Sequence, residues 1–479
     1  MSTLTPSEWF DLLNAKFNEI TRPKWQDHRS RSEIAACSRE VQPRHRLLDT
    51  LWSYYVGDPP LPQVADEYKD VFRDVMRKAR SNYAPMAVAA MLDRMELLAV
   101  STAVDKDLNG DDLAARIMDE SGFAAMFKDL LGYLFAMGES YAMVVPGSPT
   151  PTIHAIDPRR CVGIPDPQNP VRLIAALVKE YDEIEKEEVA HLFLPGRRWR
   201  LTLDGVSWRR GTEEPELIRG LDEFGGIPIV RFENAFGLGE YEPHIDLLDR
   251  INDTTLQRIV GFWYQALRQR AFRGDLEDGE DEYGEDTPVS AEDQMDSLRR
   301  SLKAGPGSLW MIPKDFEIWE SAQADFSPII NAKRDDVKEF AAVTSTPLHL
   351  ITPDAANGSA EGAGLMRESA TAKVRDRRAR VTPQMKLLWR IVFAMAGEPR
   401  RGDYLKLHWG PIEFRTLAEM ASASSQAQGT LSVEKIGEKI WQMTPDEIDE
   451  NIKQLGLPKK RFEPPSDDSN DNPAVQPDQ

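Results

Sequence analysis

The chain has 479 residues, two cysteines and a formal net charge of −20 at pH 7. That length exceeds one ordinary compact core and leads us to expect about two to four subdomains, while a hydrophobic content of 41% and an aromatic content of 8% are globular values. The acidic balance argues against a protein that grips nucleic acid by counterion release. Cys37 and Cys161 cannot build a disulfide framework. No apolar run is long enough to span a bilayer and Met1 to Phe10 lacks the pattern of a secretory signal. We therefore expect a protein made in a reducing cytoplasm, with no membrane partner.

In chain order, Thr5-Pro6-Ser7-Glu8 predicts a helix start: Thr as cap, Pro at the first helical position and Glu three residues after the cap. Phe10, Leu13 and Phe17 then recur at helical spacing. Further helical patterns cover Leu47 to Tyr55, Asp66 to Arg80, Met86 to Val100 and Asp111 to Met137, the last stopping at Gly138. The period then shortens. Tyr141 to Val145, Thr152 to Ile156, Val171 to Tyr181, Val189 to Leu194 and Ile227 to Phe232 read as strands between Pro- and Gly-rich turns. Asp204-Gly205 predicts a hairpin joining Trp199 to Leu203 with Val206 to Trp208.

A long helix is expected from about Pro243 to Arg270, with one apolar stripe through Ile259, Phe262 and Trp263 and a second through Ile251 and Tyr264. Such a helix is either a central core element or one packed against neighbours on two sides. The run Asp275 to Asp286, without Lys or Arg, reads as a solvated loop. Leu309 to Ile312 and Phe316 to Trp319 are expected to form a strand pair, and Ser327-Pro328 to open a helix reaching about Thr344. Pro347, Pro353, Gly358, Gly362 and Gly364 then rule out one continuous helix from 347 to 364. A second very long helix is expected from Leu365 to about Ala396, kinked or restarted at Thr382-Pro383. Thr444-Pro445-Asp446-Glu447 repeats the first cap, and Pro464 to Gln479 has the composition of a disordered acidic tail.

Catalytic constellations are absent from the sequence. It has no phosphate loop, no dinucleotide fingerprint, no nucleophile elbow and no histidine pair at ligand spacing. The acidic run is the one segment that suggests a metal-dependent nuclease, but hydrolytic carboxylates need rigid placement. The basic cluster Lys373, Arg375, Arg377, Arg378 and Arg380 wraps around a helix instead of forming one stripe. It reads as ion pairs within or between subunits, or as an interior DNA contact.

Several short motifs, weak one by one, jointly resemble the portal family of long-tailed bacteriophages. They are Tyr54-Tyr55-Val56-Gly57, Met137-Gly138-Glu139-Ser140-Tyr141, Ile156-Asp157-Pro158 with Pro165-Asp166-Pro167, and Ile227-Pro228-Ile229-Val230 with Asn234. Asp249-Arg250-Ile251-Asn252, Thr346-Pro347 with Asn357-Gly358-Ser359-Ala360-Glu361, His408-Trp409-Gly410-Pro411 and Thr444-Pro445-Asp446-Glu447-Ile448 complete the set. The resemblance runs from about Leu47 to Pro458, interrupted by Gly362 and Gly364 and by an acidic stretch longer than expected.

What the resemblance implies is a mainly helical α+β fold. An α/β wing would span 1–242, the stem helices 243–271 and 327–346, and a small α/β clip 272–326. A tunnel loop at 347–364, a long helix at 365–397, a helical crown at 398–463 and a disordered tail at 464–479 would follow. It implies a dodecameric ring at one capsid vertex of the virion, with no enzymatic activity and no cofactor. Double-stranded DNA, the large terminase subunit, a head–tail adaptor, and the major capsid and scaffolding proteins would be its partners. His349, Thr352, Asp354, Asn357, Ser359 and Glu361 would then face the DNA channel. Ile259, Phe262, Trp263, Tyr264, Ile330, Val337 and Phe340 would meet neighbouring subunits. Asp275, Glu277, Asp278, Glu280, Asp281, Trp310 and Trp319 would bind partners through the clip. Another head-morphogenesis or adaptor protein is the alternative structural reading. It explains the helices without the order stem, clip, stem.

Overall fold

The computed structural model describes residues 4–21, 42–62, 69–104, 110–204, 207–210, 214–221, 226–266, 270–273, 317–320, 325–351, 360–412, 417–443 and 445–457. Among them helices make up about half, mixed with antiparallel strands. The chain divides into a larger unit, 1–61 with 80–251 and 335–479, and a smaller one, 62–79 with 252–334.

Two antiparallel sheets of three or more strands form the frame of the larger unit. A three-stranded sheet orders Ile229–Glu233, Glu139–Val145 and Thr152–Ile156, with Glu139–Val145 in the middle. The helix Phe123–Met137 lies against it and buries Phe127, Leu130, Leu131 and Phe135. That helix ends where Gly138 takes φ +81, a conformation that favours glycine. The second sheet runs Ser207–Arg210, Arg197–Asp204, Glu187–Leu194, Leu173–Asp182 and Cys161–Pro165, with Glu216–Leu217 also paired to Arg197–Asp204. Alternation along a strand sends successive side chains to opposite faces. Ala175 and Leu177 accordingly join the helix Pro6–Phe17 in a small core with Phe10, Leu13, Phe17 and Trp199. Ala176 and Val178 enter the main core. Trp389, Phe393, Phe123 and Phe340 are fully buried there, three of them joined by ring contacts centred on Trp389.

The first helix has the expected cap: Thr5 accepts from the Glu8 N–H, and Glu8 reaches back to Thr5. Other expectations need correction. Met86 to Val100 is not one helix. Ala84–Leu92 is helical, and Leu97–Thr102 is a strand paired with Leu405–Trp409, some three hundred residues away. The region expected to be a helical crown thus contributes a strand. Asp111 to Met137 is two helices, Asp112–Glu120 and Phe123–Met137, divided at Gly122 with φ +55. Cys161–Pro165 is a strand the periodicity did not reveal. The hairpin register pairs Asp204 with Ser207, so Asp204 closes the ladder instead of occupying the turn.

The long helix runs Ala360–Met395, 36 residues or about 54 Å, with Gly362, Gly364 and Pro383 inside it. The expected loop is therefore helical at its end. Helix also passes through Pro383, where the Thr382 hydroxyl donates to the Arg378 carbonyl at 2.6 Å.

In the smaller unit, the strands Arg270–Arg273 and Glu317–Glu320 pair antiparallel, placing Arg270 opposite Glu320 and Arg273 opposite Glu317. Arg270 therefore belongs to a strand and not to the preceding helix, which is Ile245–Ala266, 22 residues or about 33 Å. The expected strand Leu309 to Ile312 and the tail 464–479 lie outside the described residues. No helix among the described residues is long and apolar enough to cross a membrane.

Candidate subunit-contact and channel residues

The helix Ile245–Ala266 changes character along its length. Its first turns are anchored in the larger unit, where Leu248 and Ile251 are buried and the Tyr54 hydroxyl donates to Asp249 at 2.5 Å. Arg250 pairs with Asp336 at 3.0 Å and with Glu339, both on the helix Ser327–Val343. Toward its other end, Ile259 is half-buried, whereas Phe262 is 47% and Trp263 51% exposed. Within the smaller unit the Phe326 ring lies 4.6 Å from that of Phe262. Gly261 makes room for it, since a Cβ there would meet Phe326 at 2.4 Å. Ile330 is half-buried. The backbone of Tyr264 is helical, and its side chain lies outside the described residues.

Val337 and Phe340 are a correction. They are 3% and 0% exposed in the chain's own core. A side chain sealed inside its own subunit cannot meet another, so their apolar spacing belongs to the fold. The sequence could not separate these residues from Phe262 and Trp263, because all four sit on amphipathic helices with the same period.

Of the expected channel residues, His349 falls in the short helix Leu348–Ile351, and Glu361 in the first turn of Ala360–Met395. Thr352, Asp354, Asn357 and Ser359 lie outside the described residues, as do the side chains of His349 and Glu361. Asp275, Glu277, Asp278, Glu280, Asp281 and Trp310 also lie outside them, while Trp319 sits on the strand Glu317–Glu320 opposite Ala271. The segment leading into the expected loop is held firmly. Thr344 Oγ1 and Thr346 Oγ1 share a hydrogen bond of 2.8 Å, and Lys373 Nζ donates to the Thr344 carbonyl at 2.7 Å.

Lys373 belongs to a charge knot that sequence reasoning did not find. The Glu240 side chain, 2% exposed, takes Lys373 Nζ at 2.6 Å and Arg377 Nε at 2.7 Å, and accepts from Asn234 Nδ2 at 3.0 Å. Burial alone would raise its carboxyl; the Arg377 and Lys373 contacts outweigh burial and hold it below the usual range. Asp376 pairs with Arg377 and Arg380, and Arg378 donates to the Arg94 carbonyl while covering the Trp409 ring at 5.3 Å. Burial pushes the Arg378 guanidinium down to about 10. Lys373, Arg377 and Arg380 thus make ion pairs within the subunit, as the ion-pair reading expects, and Arg378 is held by a carbonyl and an aromatic ring. The missing signal was Glu240, which lies 133 residues before Lys373 and looks like an ordinary loop carboxylate.

A second knot holds Glu139 between Arg44 and Arg231, with Arg44 also donating to the carbonyls of Pro158 and Cys161 at 2.9 and 3.0 Å. Burial would raise Glu139, but the two guanidinium groups hold it down. In both knots the buried carboxylate is held by two cationic side chains, the chemistry of a structural brace. Among the described residues no cluster of His, Cys, Asp and Glu could hold a metal ion.

A family profile described as phage portal protein, SPP1 Gp6-like, matches residues 35–460. No curated protein matches the chain directly. Among solved structures, the neck of a native gene transfer agent particle computed with C12 symmetry shares 14% identity at a TM-score of 0.42, over 86% of this chain and 100% of that one. The neck of an empty particle computed with C6 symmetry gives 14% and 0.43, over 86% and 99%. The virion of the native particle gives 15% and 0.41, over 86% and 94%.

Proposed function

The chain belongs to the phage portal protein family of the SPP1 Gp6-like type, a family of structural capsid proteins and not of enzymes, and we propose that it forms a closed ring of identical subunits at one capsid vertex, through which the genome is packaged and ejected. The observation that carries this reading is the length of the family match, 426 consecutive residues from 35 to 460. The order of elements supports it: a helix, a segment bounded by a strand pair, a second helix, then the longest helix among the described residues.

On this reading the stem is 243–271 and 327–346, with the helices Ile245–Ala266 and Ser327–Val343, and the clip is 272–326, entered and left through the strands Arg270–Arg273 and Glu317–Glu320. The wing is 1–242, the tunnel loop 347–364, the long helix 365–397 and the crown 398–463. Copies meet through Ile259, Phe262, Trp263, Tyr264 and Ile330. The clip takes the large terminase subunit during packaging and the head–tail adaptor afterwards, and the ring also meets the major capsid and scaffolding proteins.

The chemistry of a conduit differs from that of a DNA binder. A groove that grips duplex DNA neutralises many phosphates and binds in a steeply salt-dependent way. The net charge of −20 and a tunnel segment whose polar residues are His349, Thr352, Asp354, Asn357, Ser359 and Glu361, none of them Lys or Arg, suit a passage without deep electrostatic traps. The test is native mass measurement of the purified chain. A closed ring, about twelve times the 54.1 kDa subunit, is expected; a chain that stays monomeric at micromolar concentration would contradict the proposal.

A further inference from the structure

One exposed aromatic side chain is held outward by a backbone turn that is itself locked in place. Phe236 is 73% exposed, and its φ of +59 is a conformation that bulky side chains rarely adopt. The turn around it is seated firmly on the end of the helix Phe123–Met137. Asn234 N donates to the Gly138 carbonyl at 2.9 Å, Asn234 Nδ2 to the Leu238 carbonyl at 2.7 Å, and Glu240 N to the Phe135 carbonyl at 2.7 Å. The backbones touch so closely that a Cβ on Gly138 would meet the Gly237 carbonyl at 2.4 Å, and one on Gly239 the Ala136 carbonyl at 2.4 Å. The buried Glu240 knot fastens the far side of the same turn. The aromatic ring is therefore presented by a rigid support. Strain and apolar exposure at one residue bring no return inside the subunit, a combination that points to function elsewhere.

A receptor for such a ring lies at the opposite end of the same strand pair. The register sets Glu233 against Glu139 at the Phe236 end and Ile229 against Met143 at the other, about 14 Å along the strands. Beyond Met143 a hollow of about 280 Å³ is lined by Met143, Val145, Pro146, Ile218 and Pro228. The charged residues at its rim are spent on each other: His191 meets Glu180 at 2.8 Å, and Arg198 pairs with Glu216. What is left is a largely apolar recess with room for one aromatic side chain.

A projection and a recess at opposite ends of one element cannot meet within a subunit, but identical copies arranged head to tail can join them, and such heterologous contacts close into rings. We infer that Phe236 is an anchor that enters the hollow beside Pro146 and Ile218 of the next copy of this chain, an inference that rests on the ring proposed above. Buried aromatic anchors of this kind dominate interface energies.

The test begins with the mass of the wild-type chain, which decides the ring by itself. In a background with Cys37→Ser, and with Cys161 left in place because it is fully buried, Phe236→Cys and Pro146→Cys are then combined. A short bis-maleimide, added at a concentration where native mass shows the double variant assembled, should convert it into a ladder of covalent multimers, and neither single variant should give one. Phe236→Gly supplies an independent readout. Glycine adopts positive φ freely, so the dissociated variant should unfold at a higher temperature than the wild-type subunit. The concentration for half-assembly should nevertheless rise on the order of tenfold or more, as for loss of an interface anchor. Wild-type rings together with no ladder, or a glycine variant that assembles like the wild type, would overturn the anchor while leaving the ring standing. A wild-type chain that forms no ring would overturn both.

Discussion

The two ends of the helix Ile245–Ala266 use their side chains in opposite ways. At the start, Leu248 and Ile251 are buried, and Asp249 and Arg250 are paired with Tyr54, Asp336 and Glu339 of the same chain. Near the end, Phe262 and Trp263 are about half exposed. The same contrast separates the charge knots of the larger unit from its projecting Phe236. The buried carboxylates Glu139 and Glu240 are matched inside the subunit, whereas the exposed rings of Phe236, Phe262 and Trp263 stand on backbone that is itself held in place. The lesson is a division of labour: changes in the first kind of region should cost stability, and changes in the second should cost assembly.

The largest effect is expected at Glu240. Replacing it with alanine leaves Lys373 and Arg377 buried beside an empty site, and removing one partner of a buried ion pair typically costs about 3–5 kcal/mol. Thermal unfolding of E240A should show a fall of many degrees. A melting temperature equal to the wild type would mean that the knot is not the brace we describe, and the contrast would lose its stable half.

A smaller, pH-dependent effect should come from His408. This ring shares a 2.8 Å hydrogen bond with Ser101 across the strand pair Leu97–Thr102 and Leu405–Trp409. Burial, reinforced by Lys406, pushes its imidazolium down to about 4. The folded state therefore keeps the ring neutral, while the unfolded chain takes up a proton below about pH 6.5. Stability contributed by the neutral ring is present above that pH and lost progressively as pH falls toward 4. Urea unfolding between pH 7.5 and 4 should show His408→Gln losing about 1–2 kcal/mol less than the wild type across that window. Parallel pH profiles would show that His408 is not held neutral by the fold.

Local chemistry was largely legible in the sequence. The Thr5–Glu8 cap, the stop at Gly138, the strand Thr152–Ile156 and the helix opened by Ser327-Pro328 all follow from interactions within a few residues. Contacts between distant segments were not legible. Leu97–Thr102 carries an apolar pattern that a helix could also use, and only its pairing with Leu405–Trp409 makes it a strand. Gly362 and Gly364 lower helix propensity, yet the helix Ala360–Met395 includes both, propensity being a weak prior. For the candidate site, the sequence picked out the aromatic cluster at Phe262 and Trp263 but also took in Val337 and Phe340, since periodicity marks an apolar face without saying what covers it. It overlooked Phe236, whose signal is a backbone angle, and Glu240, whose partners lie on another helix.

The most direct test of the account lies at Trp263. With about half of its surface exposed, its replacement by aspartate gives up the packing of the other half, about 1–3 kcal/mol of subunit stability, less than the loss expected at Glu240, yet in an interface it would bury an unpaired charge. Native mass measurement of wild-type and Trp263→Asp proteins at the same concentration, with a thermal melt of each, separates the two roles. We predict closed rings for the wild type, and for the variant single subunits or small oligomers that still unfold cooperatively, with a melt lowered less than that of E240A. Rings that form equally well with aspartate at 263 would contradict the claim that copies of this chain meet along the exposed half of the helix.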